Sequence, residues 1–102
     1  MKKLEKNQAL KYKISSQAQD DLTRIYLYGV KKFGYKQAQL YSKKLIDCIN
    51  SISNNPTAYV AVDHIKPYYR RCSCGSDSIY YKVSHIVEIM AVLGSQDIEN
   101  AL

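Results

Sequence analysis

Apolar and polar positions alternate first. Leu10, Tyr12 and Ile14 stand against Lys11 and Lys13, the two-residue period of a strand with one face on a core, which predicts a strand over 10–15. From Ser16 the period lengthens. Ala18, Leu22, Ile25, Tyr26, Gly29 and Phe33 recur at three-and-four spacing and are predicted as the buried face of an amphipathic helix. Ser16 and Gln19 have the spacing of a capping box. Asp20 and Asp21 are placed in the first turn and Lys31 and Lys32 in the last, as the helix dipole favours. Gly29 on the buried face costs about 1 kcal/mol against alanine, which a close approach by a neighbouring element would offset. Gly34 is the stop. A second helix is predicted over 35–53, with Ala38, Tyr41, Leu45, Cys48, Ile49 and Ile52 as its stripe, closed by Asn54-Asn55-Pro56. So short a link implies an antiparallel helix hairpin.

Residues 57–66 are predicted as a connecting loop. Three strand signals follow, over 68–74, 78–83 and 86–93, joined by Gly75-Ser76-Asp77 and by Ser84-His85. Ile79, Tyr81 and Val83 face one way in the middle strand, and Tyr80 and Lys82 the other. The last strand is apolar on both faces, which suits a central or covered position. The polar stretch 95–102 is compatible with a helical turn from Asp97. The pattern predicts an α+β fold in the order β-α-α-β-β-β, with an N-terminal helix hairpin packed on an antiparallel β-sheet. It is read as one domain over 1–102, with residues 1–10 a polar extension.

The chain has 102 residues and a formal net charge of +6. That charge favours acidic partners, nucleic acid or protein, without choosing between them. Ten tyrosines and no tryptophan suit a small core that runs close to the surface. Three cysteines cannot all pair, and a reducing cytosol is the simpler expectation. The basic start has no apolar run of a secretory signal. The longest apolar segment, near Ile86 to Leu93, is broken by Glu88 and does not reach a membrane span. A soluble, cytoplasmic protein with no membrane partner is expected.

Candidate chemistry concentrates in Arg70-Arg71-Cys72-Ser73-Cys74-Gly75-Ser76-Asp77-Ser78-Ile79-Tyr80-Tyr81. Cys72 and Cys74 point to one face of a strand. A structural zinc site wants four ligands, and Cys48, His64 and His85 complete no recognisable spacing, so no metal is expected. A bridge between Cys72 and Cys74 has poor geometry. Arg70 and Arg71 point to opposite faces; an anion contact, or one ion pair plus one exposed charge, both fit. Tyr68, Tyr69, Tyr80 and Tyr81 read as packing more than as a base-stacking platform, and direct nucleic-acid binding is not expected. Lys31, Lys32, Lys36, Lys43 and Lys44 read as a solvated helix surface able to steer the chain toward negative charge.

In its ordered motifs the chain resembles the ParE branch of the RelE/ParE superfamily of toxin–antitoxin modules. Ile14-Ser15-Ser16-Gln17-Ala18-Gln19-Asp20-Asp21-Leu22 with Ile25 and Tyr28 is similar to that family's first helix, and Phe33-Gly34 with Gln37-Ala38 and Tyr41 to its second. Asn55-Pro56, Arg70-Arg71, Gly75-Ser76, Ile79-Tyr80-Tyr81, and Leu93-Gly94 with Gln96-Asp97 follow in order. The resemblance implies a toxin neutralised by an acidic, ParD-like antitoxin that folds on binding. It also implies a protein inhibitor of DNA gyrase with no cofactor and no catalytic residue. Antitoxin contacts are expected on the helix hairpin, at Leu22 and Tyr26, and on the sheet edge, at Arg70 and Arg71. Target contacts are expected at Leu93, Gly94, Gln96 and Asp97. The RelE branch cuts mRNA on the ribosome, and for that chemistry the candidates are Arg70, Arg71, Tyr81 and His85. The absence of lysine or arginine from 86–102 argues against such a site. Asp77, where the family often has histidine, the short Leu93-Gly94-Ser95-Gln96-Asp97 run and the extension before Leu10 are departures from the pattern.

Overall fold

Ser15, not Ser16, caps the first helix, which begins at Ser16 as predicted. In the computed structural model, which describes residues 11–94, the Ser15 backbone is extended (φ −65°, ψ 163°) and its Oγ accepts from the Ala18 N–H at 3.0 Å. Gln19 donates from its side-chain amide to the Ile14 carbonyl at 3.1 Å. The cap therefore sits one residue earlier than the capping-box spacing suggested, and Asp20 and Asp21 fall beyond the first turn, which holds no acid. Lys31 and Lys32 do occupy the last turn.

The elements are β1 (Tyr12–Ile14), α1 (Ser16–Phe33), α2 (Tyr35–Asn54), β2 (Val60–Ala61), β3 (Arg70–Cys74), β4 (Asp77–Val83) and β5 (Val87–Gly94). The sheet order is β1-β5-β4-β3-β2. Pairing is antiparallel except for β1 on β5, which is parallel with Ile14 opposite Ile89. The sheet is thus mixed, because the helix hairpin carries the chain over one face and returns it after β1. The expected loop over 57–66 contains the short edge strand β2, and Tyr68 is a turn residue (φ 70°) outside β3.

Gly34 alone links the helices. Its φ of 94° is reached at little cost without a Cβ, and its N–H donates to the Val30 carbonyl at 3.0 Å. The helices cross closely where Gly29 meets Ala38: a Cβ on Gly29 would lie 3.3 Å from the Ala38 Cβ. That approach is what the glycine on the buried face predicted.

Leu45, Ile49 and Ile52 of α2 pack with Ala18 and Ile25 of α1 against Cys72, Ile79, Tyr81, Val87, Ile89 and Val92 of the sheet. Burying each large aliphatic side chain is worth about 1.5–3 kcal/mol. The far face carries Tyr80, Ala91 and Leu93, covered by Val62, Ile65 and Tyr69. The strand β5 is interior and apolar on both faces, as its sequence required. Phe33, placed on the buried face by the helical period, is instead 64% exposed, beside an open groove.

The edge of β5 beyond β1 is satisfied by α1. Ser15 Oγ donates to the Met90 carbonyl at 3.1 Å, Asp21 Oδ2 accepts from the Val92 N–H at 2.9 Å, and Arg24 donates to the Val92 carbonyl at 3.2 Å. These side chains replace the missing neighbour strand, and they explain why Asp21 is buried rather than serving the helix dipole. The β4–β5 ladder shifts register between Tyr80 and Tyr81, which lie opposite Ala91 and Ile89.

Candidate partner-binding groove

The β3–β4 turn is the two-residue loop Gly75-Ser76, with Gly75 at φ 62°. Tyr41 of α2 lies directly over it. A Cβ on Gly75 would come within 2.6 Å of the Tyr41 ring. The Tyr41 hydroxyl donates to Asp77 Oδ2 at 2.7 Å and accepts from the Ser76 N–H at 3.1 Å. Burial, aided by Asp77, raises the phenol above its ordinary pKa although Ser76 opposes the shift. Asp77, noted as a departure where histidine is common, thus anchors the turn to the helix hairpin.

This docking leaves a groove of about 850 Å³ between the helix hairpin and the end of the sheet. Ile25, Gly29 and Ala38 form its apolar floor, with Tyr41, Ser76, Asp77 and Gly94 along the sheet side. Tyr28 and Phe33 line it while remaining 58% and 64% exposed. Arg24 and Gln37 add polar groups. An apolar floor with a few placed polar groups is the usual make-up of a binding site, and an open apolar trough suits the apolar face of a peptide helix.

The residues expected to contact partners are scattered around this groove. Leu22 packs partly buried against the core and Tyr26 is half-buried on α1. Burial, followed by Tyr35, raises the Tyr26 phenol above its ordinary pKa. Neither lines the groove, whereas Ile25, Tyr28 and Gly29 on the same helix do. Leu93 is buried on the far face, and Gly94 closes one end of the groove. Gln96 and Asp97 lie outside the described residues. The sequence signal for the groove was present in Tyr28 and in Phe33-Gly34-Tyr35, a cluster of aromatics around a helix break.

The residues considered for RNA cleavage do not converge. Arg70 donates to the Tyr59 carbonyl at 2.7 Å and so ties down the segment before β2. Its cross-strand partner Tyr81 is fully buried and donates to the Pro56 carbonyl at 2.7 Å. Burial pushes the Tyr81 phenol up to about 12 despite the nearby Arg70. Arg71 pairs with Tyr80 and points to the opposite face, and His85 is exposed in the β4–β5 link. Cys72 and Cys74 share one buried face, as expected, and Cys74 is bridged to Cys48 of α2, a pairing the spacing did not suggest. The described residues contain no group of side chains arranged to hold a metal ion, and no helix among them is long and apolar enough to cross a membrane.

The family model for the ParE toxin of the type II toxin–antitoxin system parDE matches residues 12–98. The chain belongs to the ParE toxin family. Its ParE relatives include Toxin ParE1 of Caulobacter vibrioides, 34% identical over 82 residues, covering 80% of this chain and 85% of the relative. Toxin ParE1 of Mycobacterium tuberculosis is 34% identical over 74 residues, covering 72% and 76%. Among solved structures, a chain of the chromosomal ParDE toxin–antitoxin system from P. aeruginosa superposes with a TM-score of 0.75 at 16% identity, covering 84% of this chain and 96% of that one. That likeness shows the ParE fold, two helices on a mixed five-stranded sheet.

Proposed function

We propose that this ParE-family chain is the toxin of a two-component module, held inactive by an acidic ParD-type antitoxin whose apolar helix lies in the groove. In the cytoplasm the free toxin engages DNA gyrase and blocks its cycle by protein–protein contact. The observation that carries the antitoxin half is the open groove floored by Ile25, Gly29 and Ala38, with Tyr28 and Phe33 standing exposed beside it. The charge of +6 complements an acidic segment. What supports inhibition over bond cleavage is the use of Arg70 and Tyr81 in internal hydrogen bonds to main-chain carbonyls. Arg71 remains as an anion contact on the other face, and Gly94, with Gln96 and Asp97 beyond it, as the proposed target surface.

The test pairs growth with biochemistry. Purified chain added to gyrase is expected to reduce supercoiling and accumulate cleaved DNA, with no message cut in a translation extract. Phe33→Asp is expected to keep growth inhibition and lose neutralisation by the product of the adjacent reading frame. Codon-positioned mRNA cleavage would refute the gyrase reading, and full neutralisation of Phe33→Asp would refute the groove.

A further inference from the structure

Cys48 and Cys74 join α2 to β3 across 26 positions of sequence, with Cα atoms 6.6 Å apart. Their placement relative to the groove is specific. Cys74 is the residue immediately before the Gly75-Ser76 turn, and its carbonyl lies 3.3 Å from the Tyr41 hydroxyl. Cys48 is two helical turns beyond Tyr41 on the same stripe of α2. The bridge and the Tyr41 hydrogen bonds are therefore two clamps on one turn, and that turn supplies Ser76 and Asp77 to the groove.

We propose that the Cys48–Cys74 bridge is a redox-controlled strap, opened by a dithiol reductant and closed by the corresponding disulfide, that fixes the groove in its partner-binding shape. The proposal rests on the reading of the groove as the antitoxin site. Cys74 is 3% exposed, whereas Cys48 is half-buried, so the attack is assigned to Cys48. A thiolate of the reductant attacks Cys48 Sγ, the Cys48–Cys74 bond breaks, and Cys74 leaves with the electron pair and takes a proton. The second thiol of the reductant then attacks its own sulfur in the mixed disulfide and releases Cys48, which is protonated in turn. The protein bridge gains two electrons and two protons, and the dithiol is oxidised to its disulfide.

Cys72 does not divert the exchange. It is buried, and that burial pushes its thiol up and keeps it protonated. Its spacing of two from Cys74 along a strand is also unsuited to a bridge. The strap thus has two defined states. In a reducing compartment such bridges are usually transient or sensing rather than structural. With the strap closed the turn is ordered before the partner arrives. With it open, the Cys74–Asp77 strand pair still closes the hairpin, but Tyr41 is the remaining clamp of the turn on α2, and binding must also fix that docking.

The experiment uses the full chain and the full-length product of the adjacent reading frame. Alkylation after unfolding in denaturant, followed by mass measurement, should count one free thiol before treatment of the folded chain with a thioredoxin-type dithiol and three after it, with the far-ultraviolet circular dichroism of the folded chain unchanged. Amide exchange at 74–77 should speed up on opening, and affinity for the adjacent product should fall about tenfold, within the usual span of such couplings. C72S should reproduce the wild-type difference. C48S/C74S should match the open state, and reduced wild type gives the same comparison if that variant does not fold. A bridge that resists the dithiol, unchanged exchange at the turn, or equal affinity in both states overturns the strap while leaving the groove reading intact. Binding in neither state removes the groove reading, and the strap with it.

Discussion

Replacing Gly75 by alanine tests how the turn is docked. The new Cβ would stand 2.6 Å from the Tyr41 Cε1 and 2.7 Å from its hydroxyl oxygen, at a φ of 62°. Two costs follow. A non-glycine residue in the left-handed region costs roughly 1–2 kcal/mol. The ring must also swing away, breaking the 2.7 Å hydrogen bond to Asp77. A bond to a charged group is worth about 1.5–3 kcal/mol. The sum is about 2.5–5 kcal/mol, a large share of the stability of a small domain. In a Tyr41→Ala background the obstacle is gone, and Gly75→Ala should cost only the backbone term, about 1–2 kcal/mol. The difference, about 1.5–3 kcal/mol, is the coupling that a double-mutant cycle reads. Urea unfolding of the four proteins, all with the Cys48–Cys74 bridge closed, gives each stability at constant m. Equal cost of Gly75→Ala in both backgrounds, within about 0.5 kcal/mol, would refute the idea that Tyr41 is what the glycine accommodates.

The Tyr81 phenol is raised from 10.0 to about 12. The fold therefore holds its proton more tightly than the unfolded chain does, so this contribution is complete below pH 10 and is lost as pH climbs toward 12. Tyr81→Phe should flatten the alkaline stability curve in that window while costing about 0.5–1.5 kcal/mol at neutral pH through the hydrogen bond to Pro56; an alkaline curve parallel to wild type would contradict this. Asp21→Ala leaves the Val92 N–H buried without its acceptor and should cost about 1–3 kcal/mol. Asp21→Asn keeps an acceptor oxygen and should cost clearly less, and amide exchange at Val92 separates the two.

For function, the groove and the catalytic candidates point the same way. Tyr81 and Arg70 sit opposite each other across β3 and β4, a pairing that on paper looks like a base and a cation. Each is instead spent on a main-chain carbonyl. Large apolar side chains left exposed include Tyr28 and Phe33 in the groove and Leu27, Tyr35 and Leu40 elsewhere on the helix hairpin, and the proposed contact surface draws on the first two. Exposed apolar groups gathered on one part of a molecule mark interaction sites more often than chance exposure does.

Local patterning alone determined the helix hairpin, the three strands after it and the interior, doubly covered position of β5, because those features depend on short-range periodicity and on chain breakers such as Gly34 and Pro56. It also foresaw the close approach at Gly29, since a glycine on an apolar helix face has few other uses. The tertiary structure decided the rest. Asp21 reads as a first-turn charge in sequence, yet it closes the bare edge of a strand 71 positions away. Phe33 fits the helical period, yet it stands exposed at the open groove. Cys48 and Cys74 carry no spacing signature, yet the packing of α2 on β3 brings them together. Parallel pairing of β1 with one end of β5, and the groove at the other end beside Gly94, likewise arise where distant segments meet, and the energies that fix such meetings are not written in any local window.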